Sequence, residues 1–307
     1  MLPIKEYLSH PKTTAIVILQ HFGKWLPDRI YLKIMFRLKM GYKLNLRNPK
    51  TFSEKLQWLK LYDRQPLYTQ LVDKFAVKEY VAGVIGKEYV IPTLGVWDNP
   101  EQIDWDSLPD QFVLKTTHGG GSTGVVICKD KSSFNKVKAI ENLKESMKQD
   151  IYSILKEWPY KNVPRRIIAE QYISPALNHK DLPDYKFFCF NGEPKYCQAI
   201  TGRNSVVCSD FFDENWVHQP FHEPKRYPFA NPEPEKPAKF NLMWNLAKKL
   251  STGRSFSRID FYNIDDIVYF GEITFFPTGG MGGFSPKEYD DLIGKMLTLP
   301  KIKTIIR

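Results

Sequence analysis

The sequence predicts an α+β protein with largely antiparallel sheet, arranged as a helical N-terminal segment followed by two lobes. Three observations point there. Residues 1–66 carry helical spacing, with a helix-start signal at Thr51. From Tyr89 onward, short β-branched and aromatic runs alternate with turn residues. The regular strand–helix–strand rhythm of a doubly wound sheet is missing. With 307 residues, 42% of them hydrophobic and 25% charged, the chain can bury a core and build more than one lobe. The boundaries expected are 1–66 for the helical segment, 67–169 for the first lobe and 170–307 for the second.

The elements follow in order. Thr51 and Glu54 form a T-x-x-E capping box that opens an amphipathic helix, TFSEKLQWLKLY. Pro66 starts a second helix, running through Leu67, Leu71, Phe75 and Tyr80 to a stop at Gly86. YVIPTLGVW and QFVLKTT read as strands, GGGSTG as a glycine loop and VVICKD as a further strand. Residues 132–158 read as one or two helices. RRIIAEQYI, DYKFFCFNGEPKYCQAI and SVVCSDFF read as strands and turns, with an Asn191-Gly192 hairpin. Pro-rich FANPEPEKPAKF is a loop, FNLMWNLAKKLS a helix, and SRIDFYNIDDIVYFGEITFF a β-hairpin.

Composition excludes several classes. The most apolar N-terminal stretch, Ala15 to Leu19, is interrupted by Gln20 and His21, so it cannot span a bilayer, and the order of a signal peptide is lacking. These features place the chain in the cytosol. Cys128, Cys189, Cys197 and Cys208 form no CxxC pair and no zinc spacing, so they read as free thiols. The net charge of +10 is concentrated in residues 1–50, where ten basic residues face Glu6 and Asp28. With Trp25, Tyr31, Phe36 and Tyr42 interleaved, that segment suits the inner, anionic face of a membrane or an acidic substrate; a solvated helical face fits as well. No nucleic-acid-reading motif accompanies the charge.

The glycine loop contains G-x-G-x-x-G at Gly119, Gly121 and Gly124. A dinucleotide fingerprint would pass directly into a helix; this loop runs into a strand, and no Gly-Lys-Ser/Thr follows it. Strand, glycine loop and strand make a flap whose backbone N–H groups, from Gly119, Gly120, Gly121 and Ser122, could approach phosphate oxygens. Lys115 shares a strand face with Val113 and could neutralise phosphate charge; a flexible hairpin tip beside a surface lysine is the plain alternative. A protein kinase would need H-R-D and D-F-G elements, and neither is present.

Two further segments carry candidate chemistry. Alternation puts Arg258 and Asp260 on one face of a strand, with Glu272 and Thr274 on the matching face of the next. Paired carboxylates on adjacent strands suit magnesium, and Arg258 could stabilise a transferring phosphoryl group; a solvated ion-paired face is the alternative. IIAEQYI offers Glu170, Gln171, Tyr172 and Ile173 as adenine contacts, although an ordinary strand reads the same way. Lys186 is a second candidate phosphate contact and catalytic cation. Asp184 shares its face, either at the nucleotide or as a simple ion-pair partner.

Taken in sequence order, DKFAVKEYV, IPTLGVW, LPDQFVLKTTHGGGSTGVVICKD, IIAEQYI and SRIDFY…FGEITFFP resemble the ATP-grasp superfamily over roughly residues 73–285. The leading NPKTFSEKLQWLKLYDRQPLY resembles the TupA-like branch, associated with teichuronopeptide and other surface-polysaccharide biosynthesis. The resemblance implies an ATP-grasp fold, in which two lobes grip ATP between antiparallel sheets. It implies Lys74 as the early basic residue, Lys115 on the phosphates, Gly119 to Gly124 as the flap and Glu170 to Ile173 as the adenine hinge. Asp260 and Glu272 would be magnesium carboxylates beside Arg258. Thr274 stands where the family has asparagine, which puts metal geometry in question. The implied activity is ATP-dependent joining of a carboxylate to an amine, with magnesium or manganese and with one partner saccharide-linked. A glycosyltransferase of the same pathway and a non-catalytic ATP-binding scaffold are the competing readings; no D-x-D sequence in a suitable turn supports the former.

Overall fold

Local capping, alternation and turn chemistry set most of the elements of the computed structural model, which describes residues 11–120, 124–174, 182–202, 205–223, 227–264 and 267–301. Helices α1 (Pro11–Phe22) and α2 (Asp28–Met40) form a hairpin, and α3 (Phe52–Tyr62) follows. The capping box is formed: Glu54 N–H donates to Thr51 Oγ1 at 3.0 Å, and Thr51 N–H donates to the Glu54 carboxylate at 3.3 Å. The single helix expected from Pro66 is two, α4 (Pro66–Val72) and α5 (Val77–Ile85). Asp73 divides them, its Oδ1 accepting from the N–H groups of Phe75 and Ala76 at 2.8 and 3.1 Å. An aspartate that satisfies local backbone donors in this way competes with helix continuation. Gly86 ends α5 at φ +116°, as expected.

The first sheet holds β1 (Thr93–Trp97), β2 (Phe112–Thr116), β3 (Val126–Cys128) and β4 (Ile167–Gln171) in the order β1-β4-β2-β3, all antiparallel. Between β3 and β4 lie α6 (Lys136–Met147) and α7 (Ile151–Leu155). The core of this sheet is small: Phe112, Leu114, Cys128, Leu143, Ile167 and Ala169, with Ile103 and Leu108.

The second sheet runs β7-β6-β5-β8-β9, also antiparallel, from β5 (Asp184–Phe190), β6 (Glu193–Thr201), β7 (Cys208–Phe212), β8 (Phe256–Ile264) and β9 (Ile267–Thr274). Asn191 (φ +53°) and Gly192 (φ +84°) make the tight turn between β5 and β6, a conformation suited to this pair. Helix α8 (Phe240–Ser251) covers one face, with Phe240 and Trp244 against Phe187. Period-2 alternation leaves Lys186, Arg258 and Asp260 on the opposite face. Helix α9 (Glu288–Met296) packs on α3.

The N-terminal helices share the large core of the second sheet, where Leu19, Tyr31, Leu32, Met35 and Phe36 join Phe187, Phe261 and Ile273. Tyr31 and Phe36, expected as surface aromatics, are therefore wholly buried, and Tyr42 is half-buried; Trp25 is exposed. Each such buried ring contributes about 1.5–3 kcal/mol, which outweighs any gain from presenting it to a charged surface. Cys128, Cys189, Cys197 and Cys208 are free thiols, and burial pushes Cys189 up to about 12. Among the described residues no helix is long and apolar enough to cross a membrane.

Candidate active site

The β8–β9 pairing sets Asp260 directly opposite Glu272 and Arg258 opposite Thr274; β5 adds Lys186 beside Asp260. Register alone therefore gathers five charged or polar groups on one sheet face. Arg258 binds Asp260 through two parallel bonds, Nε to Oδ1 at 2.7 Å and Nη2 to Oδ2 at 2.6 Å. Its Nη2 also reaches Glu272 Oε1 at 2.8 Å and Thr274 Oγ1 at 3.1 Å. Thr274 donates to Glu272 Oε1 at 3.1 Å. Lys186 Nζ bridges Asp260 Oδ2 and Asp184 Oδ2, each at 2.6 Å. Lys186 and Asp184 are mostly shielded from solvent, so the exposed ion pair considered from sequence is in fact enclosed.

Electrostatics tune these groups apart. Burial opposes the charge on Glu272, but Arg258, Lys74 and Lys186 overcome it and bring its carboxyl down to about 2. Burial likewise works against Lys186, yet Asp260 and Asp184 hold its ammonium above the usual lysine range. Because the folded-state pKa of Glu272 lies below the ordinary 4.5, its stabilisation is present above pH 4.5 and fades as pH falls toward 2. Denaturation of the parent and Glu272→Gln over that window should give stability curves that converge on acidification; parallel curves would contradict the assignment.

The small sheet carries a second cluster. Glu170, buried in the central strand β4, meets Lys115 at 2.5 Å through Oε2 and Lys78 at 2.7 Å through Oε1. Against the effect of burial, Lys115 and Lys78 hold Glu170 below the ordinary carboxylate range. Both carboxylate oxygens thus hold lysines, which fixes the position of the Lys115 ammonium. Lys78 also donates to the Ile91 carbonyl at 2.6 Å. Gln171, Tyr172 and Ile173 follow at the strand's exposed end, where Gln171 N–H donates to Pro92 O at 3.1 Å.

Lys74 lies between the two clusters. Its Nζ donates to the Gly119 carbonyl at the root of the flap, and it feels Glu272, Lys115 and Glu170 at once; burial lowers its pKa. Gly119 and Gly120 are placed at that root, whereas Gly121 and Ser122 lie outside the described residues. At Gly124 (φ +77°) a Cβ would collide with the Ser146 side chain, so the loop's return needs glycine.

Sequence reasoning missed Lys78, although its position four residues after Lys74 on a helical pattern was a usable signal. His118 was also missed. It is buried beside the flap, and burial, with Arg165 and Lys74, pushes its imidazole down to about 4, leaving it neutral at physiological pH. No local signal distinguished it.

The donor set fits magnesium. Asp260, Glu272 and Thr274 offer oxygen alone, as a hard ion requires. Among the described residues no group of three or more His, Cys, Asp or Glu forms a self-sufficient metal site. An ion here would therefore complete its shell with phosphate oxygens and water.

The TupA-like ATP-grasp family model matches residues 54–298. Among solved structures, the chain is similar to D-alanine–D-alanine ligase from Helicobacter pylori (16% identity, TM-score 0.43, covering 80% of this chain and 69% of that one). It is similar also to the Bacillus anthracis enzyme of the same name complexed with ATP (14%, 0.38, 66% and 53%). A third is a RimK domain ATP-grasp protein from Sphaerobacter thermophilus (11%, 0.42, 77% and 70%). The chain thus spans little more than half of the Bacillus anthracis ligase. No curated protein matches the sequence. With the family match running from α3 to the end of α9, the chain belongs to the TupA-like ATP-grasp family and, with it, to the ATP-grasp enzymes.

Proposed function

We propose that the protein is an ATP- and magnesium-dependent carboxylate–amine ligase modifying a capsular or other cell-surface polysaccharide or its precursor, joining a uronic acid to an amino compound. The observation that carries the reading is the pair of charged clusters, Lys115 and Glu170 of one sheet with Lys78 from α5, and Arg258–Asp260–Glu272–Lys186 on the other sheet, with Lys74 between them. On this reading residues 67–169 form the nucleotide lobe and 170–307 the lobe of the metal carboxylates. Its supply of ATP puts the enzyme on the cytoplasmic side of the membrane.

A carboxylate is a poor electrophile. In the proposed reaction a carboxylate oxygen attacks the γ-phosphorus of ATP and ADP leaves, giving an acyl phosphate. The amine nitrogen then attacks the acyl carbon, phosphate departs, and the nitrogen loses a proton. Lys115 and Lys186 would offset phosphate charge, and Arg258 would stabilise the phosphoryl group in transit. Asp260, Glu272 and Thr274 would hold magnesium, which supplies Lewis-acid polarisation of the phosphates. Gln171 to Ile173 would meet adenine, and the glycine flap would exclude water.

The deciding experiment is an ATP-dependent phosphate-release screen of uronic acids against amines and amino acids. ATP consumption that requires both partners supports a ligase. Turnover of a nucleotide sugar without ATP would establish a glycosyltransferase instead, and turnover of neither a scaffold. Lys115→Ala should keep its fold, since Lys78 still neutralises Glu170. It should lose about 10–100-fold in ATP affinity, the range for one charge-assisted contact. Unchanged affinity by calorimetry would remove Lys115 from the phosphate site.

A further inference from the structure

We propose that the turn of the N-terminal helical hairpin is a docking surface for an anionic lipid bilayer. Ile18, Phe22, Trp25, Ile30 and Ile34 are 53, 73, 86, 48 and 41% exposed, and all lie around the α1–α2 turn. The same hairpin packs Leu19, Tyr31, Leu32, Met35 and Phe36 into the core. Its exposed residues are thus a second apolar set on a hairpin whose core contacts are already made. Single exposed apolar residues are ordinary, but five at one turn, two of them aromatic, mark an interaction surface.

The turn is firmly held. Lys156 Nζ donates to Lys24 O at 3.0 Å, and Asp28 accepts from Arg64 at 2.7 Å and Tyr152 at 2.9 Å. Tyr31 Oη donates to Ile154 O at 2.6 Å. Near the turn stand Lys24, Arg29 and Lys33, all exposed, with Lys12 and Arg37 farther along the two helices. The single acid of residues 11–37, Asp28, is mostly shielded and paired with Arg64.

Charge chooses the occupant. A second copy of this chain would bring like charges against one another at this turn, and base stacking would leave Ile18, Ile30 and Ile34 unused. Aromatic and aliphatic groups at a tip, with lysine and arginine beside them, match the interface of an anionic bilayer, where rings sit at headgroup depth.

The test uses the full chain and co-sedimentation with vesicles of phosphatidylcholine, alone or with phosphatidylglycerol. The parent should pellet with anionic vesicles at low salt, lose binding as salt screens the attraction, and ignore the neutral ones. Phe22→Ser/Trp25→Ser and Lys24→Gln/Arg29→Gln/Lys33→Gln should each weaken binding about tenfold or more with unchanged thermal unfolding, because every altered side chain is exposed. Absence of pelleting at low salt, or pelleting that neither variant reduces, would overturn the proposal. So would a dimer in sedimentation velocity, or RNA binding without vesicle binding, that the same variants abolish.

Discussion

Glu272→Gln is expected to fold like the parent and to lose about 10²–10³-fold in turnover, the range for removing one preorganised charge from a reacting site. The amide keeps the shape and can still contact Thr274, but it loses the negative charge that Arg258, Lys74 and Lys186 hold fully ionised. Its side chain is 37% exposed, so solvent screens its ion pair and the stability lost above pH 4.5 is modest beside the loss of turnover. Asp260→Asn should lose comparable activity and also about 3–5 kcal/mol of stability, because two shielded cations, Arg258 and Lys186, lose the carboxylate they share. The contrast is the diagnostic. A pair that merely braced the sheet would cost stability without a change in the magnesium dependence of turnover. Titrating magnesium, then manganese, against each variant separates these cases. Near-normal turnover of Glu272→Gln at limiting magnesium would remove it from the metal site.

Much of this site was legible because strands obey a strict period of two. Alternation groups Arg258 with Asp260 on one strand and Glu272 with Thr274 on the next, but the two pairs meet on one face only through a β-bulge at Gly271, where the register shifts between Phe261↔Phe270 and Asp260↔Glu272. The strand–glycine–strand flap and the Thr51 capping box were equally local. What stayed hidden was long-range pairing. Glu170 read as an adenine acceptor because its neighbours in sequence said nothing of Lys78, which arrives from α5. The charge count over residues 1–50 drew attention to aromatics there, while the helical spacing of Tyr31, Leu32, Met35 and Phe36 already marked a buried stripe. Nor could the sequence say what the N-terminal helices do for the site, since that depends on contacts across most of the chain.

Those contacts give the second large effect: Lys60→Met should lower stability by about 2–4 kcal/mol and reduce turnover, although Lys60 touches none of the groups assigned to ATP. Lys60 is wholly buried in α3 and donates to the carbonyls of Leu155 at 2.8 Å and Gly279 at 2.7 Å. Gln57, one turn earlier, donates to Gly280 O at 2.7 Å. Both brace the turn Pro277–Gly280, which follows β9 directly and holds Thr278, Gly279 and Gly280 at positive φ. Methionine fills the space but deprives the Leu155 carbonyl of the Lys60 donor and leaves the Gly279 carbonyl only the longer bond from Gln57 at 3.4 Å, and Thr278 keeps a strained backbone with less to enforce it. Titration supplies a signature that a plain packing defect lacks. Burial pushes Lys60 down from 10.5 to about 8, so the unfolded chain binds more protons between those values and this residue makes the protein more stable as pH rises through them. Burial raises nearby Glu157 from 4.5 to about 7, so its contribution falls as pH rises through that lower window. Subtracting the Lys60→Met stability curve from that of the parent should therefore leave a rise between pH 8 and 10.5. A flat difference there, or a variant within about 0.5 kcal/mol of the parent at neutral pH, would show that α3 does not brace the Pro277–Gly280 turn through this lysine.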